Sequence, residues 1–127
     1  RPRRSISDNQ RRLGPALEAH RRLLLWLIPT LEKFPRSQRF LLGDRIETTA
    51  LDGLERLIEA TYRRERRAML HAANLDLEKL RHLLRLAYEL RYLDTRRYEY
   101  AARLIDEVGR RVGAWLKADD GPHLPQN

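Results

Sequence analysis

Apolar residues recur every three or four positions through four successive segments, and this spacing constrains the fold more than any other feature of the chain. The pattern is clearest in the third segment, at Leu70, Ala73, Leu77, Leu80, Leu84 and Ala87. Because this period places side chains on one side of an α-helix, each segment predicts a helix with one buried face. The inward positions of the other segments are Leu17, His20, Leu24, Leu27, Leu31 and Phe34 in the first, Ala50, Leu54, Leu57, Ile58 and Thr61 in the second, and Tyr98, Ala101, Ile105, Val108, Val112 and Trp115 in the fourth.

Residues that end or begin helices separate the four segments. Pro35 closes the first helix, because a residue that precedes proline avoids the α region. A charged stretch at residues 63–67 lies between the second and third helices. Asp94 offers an N-cap for the fourth helix, and Gly121 with Pro122 ends it.

Short links between helices favour antiparallel packing of consecutive neighbours. The sequence therefore predicts an all-α protein, an antiparallel up-down-up-down four-helix bundle over residues 15–118. A basic N-terminal arm precedes the bundle at residues 1–14, and a C-terminal tail follows at residues 119–127.

The residues needed for catalysis or metal binding are missing from the sequence. There is no cysteine, no histidine pair has metal-ligand spacing, and His20 falls on the apolar seam, where a core histidine with satisfied hydrogen bonds is expected. The sequence contains no run of about 18 apolar residues, the length that is needed to span a membrane. We therefore predict a protein that is not an enzyme and has no metal, cofactor or membrane partner. The absence of cysteine fits a reducing compartment, and the cytoplasm is the expected location.

Positive charge is the first functional signal. The chain has 26 Lys and Arg against 18 Asp and Glu, a net charge of +8, and nearly all of its basic residues are arginine. A GC-rich coding bias would also replace lysine by arginine, but it would not produce the net excess. Arginine binds phosphates through its planar fork and stacks on bases, so the excess indicates a polyanionic partner.

Three clusters of basic residues are candidate nucleic-acid or partner sites. They are Arg81, Arg85, Tyr88 and Tyr92 on one face of the third helix, Arg96, Tyr100, Arg103, Arg110, Arg111 and Lys117 on the fourth, and Arg63, Arg64, Arg66 and Arg67 in the turn before the third. Arginine interleaved with aromatic residues suits single-stranded nucleic acid, which needs phosphate neutralisation and base stacking. The alternative for each cluster is a helix face that is merely solvated. The two tyrosines of the third helix could equally pack between subunits.

Six consecutive apolar residues at positions 23–28 would coat the first helix on every side. A helix that is apolar all round is buried all round, so this run predicts a homo-oligomer with Leu25, Trp26 and Ile28 in the subunit interface. The alternative is that Trp26 and one leucine cover a neighbouring helix. Gly109 and Gly113 are a second packing signal, since each costs about 1 kcal/mol against alanine in a helix. They indicate close approach of another backbone, inside the bundle or across subunits.

A family resemblance rests on three stretches. Residues 108–117, with the pattern Val-Gly-Arg-Arg-Val-Gly-Ala-Trp-Leu-Lys, resemble the closing helix of the accessory variability determinant (Avd) proteins of diversity-generating retroelements. Residues 34–36 and 40–44 resemble the first turn of that family, the Leu- and Arg-rich residues 75–90 resemble its third helix, and the order is kept over roughly residues 20–117. Four-helix proteins encoded in ribosomal RNA intervening sequences share the same bundle.

The resemblance implies more than the residues do. Avd proteins assemble as barrel-like pentamers, bind nucleic acid and associate with a reverse transcriptase. The expected function is therefore a non-catalytic accessory subunit that binds template RNA or cDNA and supports mutagenic reverse transcription and sequence diversification. The alternative is a structural or interaction protein of the intervening-sequence type, whose positive charge is incidental.

Overall fold

The structure, a computed structural model, describes residues 14–120 of the 127-residue chain. Four long helices are present: α1 (Pro15–Leu31), α2 (Asp44–Tyr62), α3 (Arg67–Glu89) and α4 (Thr95–Asp120). A short helical turn (Arg36–Gln38) and a π-helical turn (Arg39–Gly43) lead into α2. Residues 14–120 contain no strand. The four long helices and the absence of strands confirm the prediction of an all-α protein with four helices.

Helix boundaries follow local sequence signals. Pro15 opens α1, where its missing N–H has no helical partner to lose. The Oδ1 of Asp94 accepts a hydrogen bond from the backbone N–H of Arg97 at 2.8 Å, which confirms the predicted N-cap of α4. The predicted end at Gly121 and Pro122 lies outside the described residues, as do residues 1–13 of the basic arm.

The helices surround one apolar core. The extensive contacts join α1 to α2, α2 to α3, α3 to α4 and α4 to α1. All six seam positions predicted in the third segment are buried, and the largest fully buried apolar side chains are Leu23, Leu27, Ile46, Leu57, Leu70, Leu77, Leu80, Leu84, Ile105, Val108 and Val112. Burial of each such side chain contributes about 1.5–3 kcal/mol, so this core is the main stabilising element of the bundle.

The inward face of α2 differs from the prediction. Ile58 is 38% exposed, whereas Ile46 and Ala60 are completely buried. Gly53 also faces inward, where His20 packs against it. The prediction was wrong at Ile58 because small residues turn inward on this helix, and hydrophobicity alone does not identify them.

Contacts along α3 and α4 show that these two helices run in opposite directions. Arg67 at the start of α3 pairs with Asp120 at the end of α4. Arg81 meets Asp106 midway, and Tyr88 near the end of α3 lies beside Thr95 at the start of α4. No helix within residues 14–120 is long and apolar enough to cross a membrane.

Candidate nucleic-acid interface

Ion pairs neutralise the basic face predicted on α3. Arg81 donates hydrogen bonds to Glu78 and, across the helix interface, to Asp106 at 2.9 Å. Arg85 donates to Glu89 at 3.0 Å on the same helix. Both guanidinium groups therefore have carboxylate partners within the protomer, and a phosphate would have to compete with them.

The two tyrosines predicted on that face have separate environments. Tyr88 stacks on Tyr98 with ring centres 4.6 Å apart and planes 10° from parallel, so one of its faces is covered. Tyr92 lies beyond the end of α3 and packs against Phe34, with ring centres 5.7 Å apart. The prediction that Tyr92 continues the helix face is wrong, because Arg91 adopts a φ of 69° and turns the chain out of the helix.

The basic cluster in the turn before α3 mainly forms ion pairs at one end of the bundle. Arg63 pairs with Glu59, and Arg67 pairs with Asp120. Arg66 approaches Asp119 and lies 5.8 Å from the centre of the Trp115 ring. Arg64 is the member of this cluster without a carboxylate within 4.0 Å among residues 14–120. Arg66 and Arg67 are therefore held by acidic and aromatic groups of the last turns of α4.

The basic stripe on α4 divides into two parts. Arg110 and Arg111 both pair with Glu107. Their hydrogen bonds, and that of Arg111 most of all, hold the pKa of the Glu107 carboxyl below its usual range. Arg96 and Arg103 have no carboxylate oxygen within 4.0 Å in the described part of the chain. The arginines of this helix that lack a carboxylate partner therefore lie toward its N-terminal end, and Lys117 near the other end is likewise unpaired among residues 14–120.

Aromatic rings adjoin these two unpaired arginines. Tyr100, which is 41% exposed, makes an edge contact with Trp26 of α1, with ring centres 5.2 Å apart and planes at 62°. The guanidinium of Arg103 lies 5.8 Å from the centre of the Tyr100 ring. The groove they form has a volume of about 540 Å³ and is lined by Trp26, Asp94, Arg96, Arg97, Tyr100 and Arg103.

The sequence pattern predicts Tyr100 on the basic stripe and Trp26 in a subunit interface. The structure brings Trp26 and Tyr100 together within one protomer, as the alternative for Trp26 had it. Their pairing had no sequence signal, because it depends on how α1 and α4 are rotated against each other.

The other predicted interface residues lie on a second surface. Leu25 is 69% exposed, whereas Ile28 is partly buried against the core. A shallow apolar groove is lined by Arg21, Leu24, Leu25, Ile28, Pro29 and Leu54. A subunit contact at this surface stays a prediction.

The two glycines of α4 meet no backbone inside the bundle. Among residues 14–120, a methyl group at Gly113 would have no atom beyond its own helix backbone within 4 Å, and one at Gly109 would meet only the end of the Arg81 side chain at 3.6 Å. Of the two alternatives for these glycines, close approach inside the bundle is therefore wrong among the described residues. Close approach between subunits stays a prediction.

No group of three or more histidine, cysteine or acidic side chains that could hold a metal occurs within residues 14–120. The described residues thus define a helical-bundle protein with an arginine-rich surface and a groove that combines unpaired cationic and aromatic groups. A family model described as bAvd-like matches residues 12–118, and the chain belongs to that family, the accessory variability determinant proteins. The resemblance drawn from residues 34–36, 40–44 and 108–117 is confirmed. A comparison with curated proteins finds no match.

Proposed function

We propose that this chain is a non-catalytic accessory subunit that binds nucleic acid and a reverse transcriptase, and so supports mutagenic copying of template RNA into cDNA. Membership of the bAvd-like family over residues 12–118 is the observation that carries the proposal. Association with a reverse transcriptase is what membership of the Avd family implies. An up-down-up-down topology, a cytoplasmic location and assembly into a pentameric ring belong to the same proposal.

Net charge supports the nucleic-acid part. One chain carries +8, so five copies in one ring would carry about +40 and raise the local concentration of RNA or DNA. Among residues 14–120, the guanidinium groups of Arg96 and Arg103 have no carboxylate partner, so phosphates can contact them without breaking an ion pair. Arg64 offers a third such group at the other end of the bundle.

A second function, a helical interaction protein with incidental charge, is favoured by one observation. Of the ten arginines predicted as binding residues, seven are ion-paired within the protomer. Such pairs neutralise one another, so the number of arginines overstates the attraction for a polyanion.

Binding of single-stranded RNA at a series of salt concentrations separates the two functions. A nucleic-acid-binding subunit loses affinity steeply as salt rises, because phosphate contacts release counterions. Copurification with the reverse transcriptase of the same element tests the protein partner. Absence of RNA binding at low salt, together with absence of copurification, would reject the proposed function in favour of the interaction protein.

The basic arm gives a more specific prediction for the same assay. Deleting residues 1–12 removes five arginines and Asp8 and lowers the net charge from +8 to +4. We expect weaker RNA binding for every sequence and a shallower slope of log K against log salt, with helix content unchanged by circular dichroism. An unchanged slope would show that the arm does not contact nucleic acid.

A further inference from the structure

We infer that the groove between α1 and α4 binds one nucleotide of a single-stranded nucleic acid. The base packs on the surface formed by Trp26, Tyr100 and Arg103, and the flanking phosphates contact Arg96 and the outer edge of Arg103. This inference rests on the proposed function and names the place and the form of nucleic acid that the subunit recognises.

The charge of the groove favours a phosphate ligand. Arg97 is held by Asp94, with a hydrogen bond of 2.7 Å between guanidinium and carboxylate. Arg96 and Arg103 have no such partner among residues 14–120, so the groove keeps two uncompensated positive charges. On α3, by contrast, Arg81 and Arg85 are both neutralised by carboxylates.

The aromatic surface of the groove favours a base. Trp26 and Tyr100 meet edge to face, which leaves ring surface uncovered, whereas the parallel stack of Tyr88 on Tyr98 covers a full face of each ring. The guanidinium of Arg103 lies over the Tyr100 ring, 5.8 Å from its centre, and guanidinium planes stack on unpaired bases as aromatic rings do. A volume of about 540 Å³ lies within the usual 300–1,000 Å³ of small-ligand sites.

The spacing of the two arginines favours a strand over a free nucleotide. Arg96 and Arg103 are separated by two helical turns, about 10 Å along the axis of α4, so the two side chains can contact separate phosphates of one strand. A base in a duplex is already stacked on both faces and cannot reach Tyr100. A single strand supplies both an exposed base and phosphates on either side of it.

Fluorescence of Trp26 tests the site directly. The chain has two tryptophans, so Trp115→Phe leaves Trp26 as the sole emitter. We expect a single-stranded oligouridylate to quench this emission along the same curve as its binding measured by anisotropy, while duplex RNA of equal length binds without quenching. Uridine monophosphate should quench only at far higher concentration.

Three results of this titration would contradict the inference. Strand binding without quenching would exclude the groove but leave the proposed function standing, whereas no binding by anisotropy would reject both. Saturating quenching by the mononucleotide at the concentrations where the strand saturates would assign the groove to free nucleotides and overturn the strand ligand.

Paired variants give an independent readout. Tyr100→Leu should weaken single-strand binding roughly 5- to 150-fold, with little change in salt slope, because base stacking is lost. Arg96→Gln with Arg103→Gln should lower the slope by about 1.4 for each participating subunit, since each phosphate contact with a single strand contributes about 0.7.

The matched control removes the same charge from the same helix. Arg110→Gln with Arg111→Gln deletes two guanidinium groups that are already paired with Glu107. A loss of slope in this control equal to that of the Arg96 and Arg103 variant would overturn the inference, because the effect would then depend on net charge alone. The variants of the arginines and of Tyr100 alter exposed side chains. Thermal melts followed by circular dichroism verify that every variant, including Trp115→Phe, remains folded.

Discussion

His20 is the least exposed of the buried polar residues in the described part of the chain. Its Nε2 lies 2.8 Å from the carbonyl oxygen of Ala50, and since a carbonyl only accepts, this nitrogen carries the proton and donates. Its Nδ1 is buried and has no hydrogen-bond partner among residues 14–120. The prediction of a core histidine is confirmed for its burial but was wrong for its hydrogen bonding, which is half satisfied. Burial lowers the pKa of His20 below 6.5, and the hydrogen bond to Ala50 opposes this only in part.

Acidification should therefore destabilise the protein through His20. The unfolded chain binds a proton at His20 as pH falls below 6.5, whereas the folded protein does so only at lower pH. The contribution of His20 to the free energy of unfolding is therefore fully present above pH 6.5 and decreases as pH falls from the unfolded to the folded pKa. Urea unfolding between about pH 7.5 and 5.5 measures the loss, and His20→Gln should remove it. Persistence of the whole loss in His20→Gln would contradict this assignment.

The ion pair of Asp76 with Arg56 cannot produce the same effect. Asp76, which also packs against Gly53, is bonded to Arg56 at 2.8 Å, yet burial raises its pKa. A raised carboxyl pKa makes the folded state bind more protons than the unfolded state, so this group favours folding as pH falls. His71→Gln, at one of the two exposed histidines of α3, is the control for replacing a histidine outside the core.

Glycine positions show how the helices differ in the space around them. A methyl group at Gly53 in α2 would lie 3.0 Å from Cε1 and 3.1 Å from Nε2 of His20. That ring is held by its bond to Ala50 and cannot move away freely. Gly113 in α4 faces open space among the described residues. An alanine methyl group would therefore be crowded at Gly53 and uncrowded at Gly113.

Alanine at these two glycines should change the free energy of unfolding in opposite directions. Gly53→Ala should lose about 1–2 kcal/mol, because overpacking against His20 outweighs the gain in helix propensity. Gly113→Ala should gain up to about 1 kcal/mol, because nothing opposes that propensity. Chemical denaturation of the two variants measures both values. Loss of assembly in Gly113→Ala, observed by light scattering, would instead indicate another subunit's backbone at this glycine.

Exposed apolar surface is the feature of the whole molecule that the monomer does not explain. Leu25 projects from the shallow groove of α1 and α2, and Phe40 and Leu41 are about as exposed in the π-helical turn before α2. Trp26, in contrast, packs against Tyr100 and the core, so its replacement would damage the protomer. Leu25 is therefore the cleaner probe of a subunit contact.

Leu25→Glu should dissociate the oligomer and leave the helices intact. Five copies of the 15.1 kDa chain have a mass of about 75 kDa, so light scattering distinguishes the assembly from the monomer, and circular dichroism follows the helix content. Leu86→Glu, on the exposed surface of α3, places the same charge on a helix that makes no extensive contact with α1 and should leave the assembly intact. A wild-type monomer, or dissociation in Leu86→Glu alone, would contradict the predicted interface.

Local sequence signals were enough to determine the helices. The three-to-four spacing located all four, the seam of α3 was predicted without error, and Asp94 was identified as a cap. These features depend on interactions within a few residues along the chain, and the sequence records them directly. Family membership was also readable from residues 34–44 and 108–117, because short stretches in fixed order carried it.

Only the tertiary structure decided which charged and aromatic groups are free. The spacing of Arg81 and Arg96 on their helices is equally suitable for phosphate binding, yet Asp106 on a facing helix neutralises the first and no carboxylate of residues 14–120 reaches the second. Likewise, only the packing of α1 against α4 places Trp26 beside Tyr100. Such contacts depend on the rotation and register of helices distant in sequence. Periodicity within one helix carries no information about either.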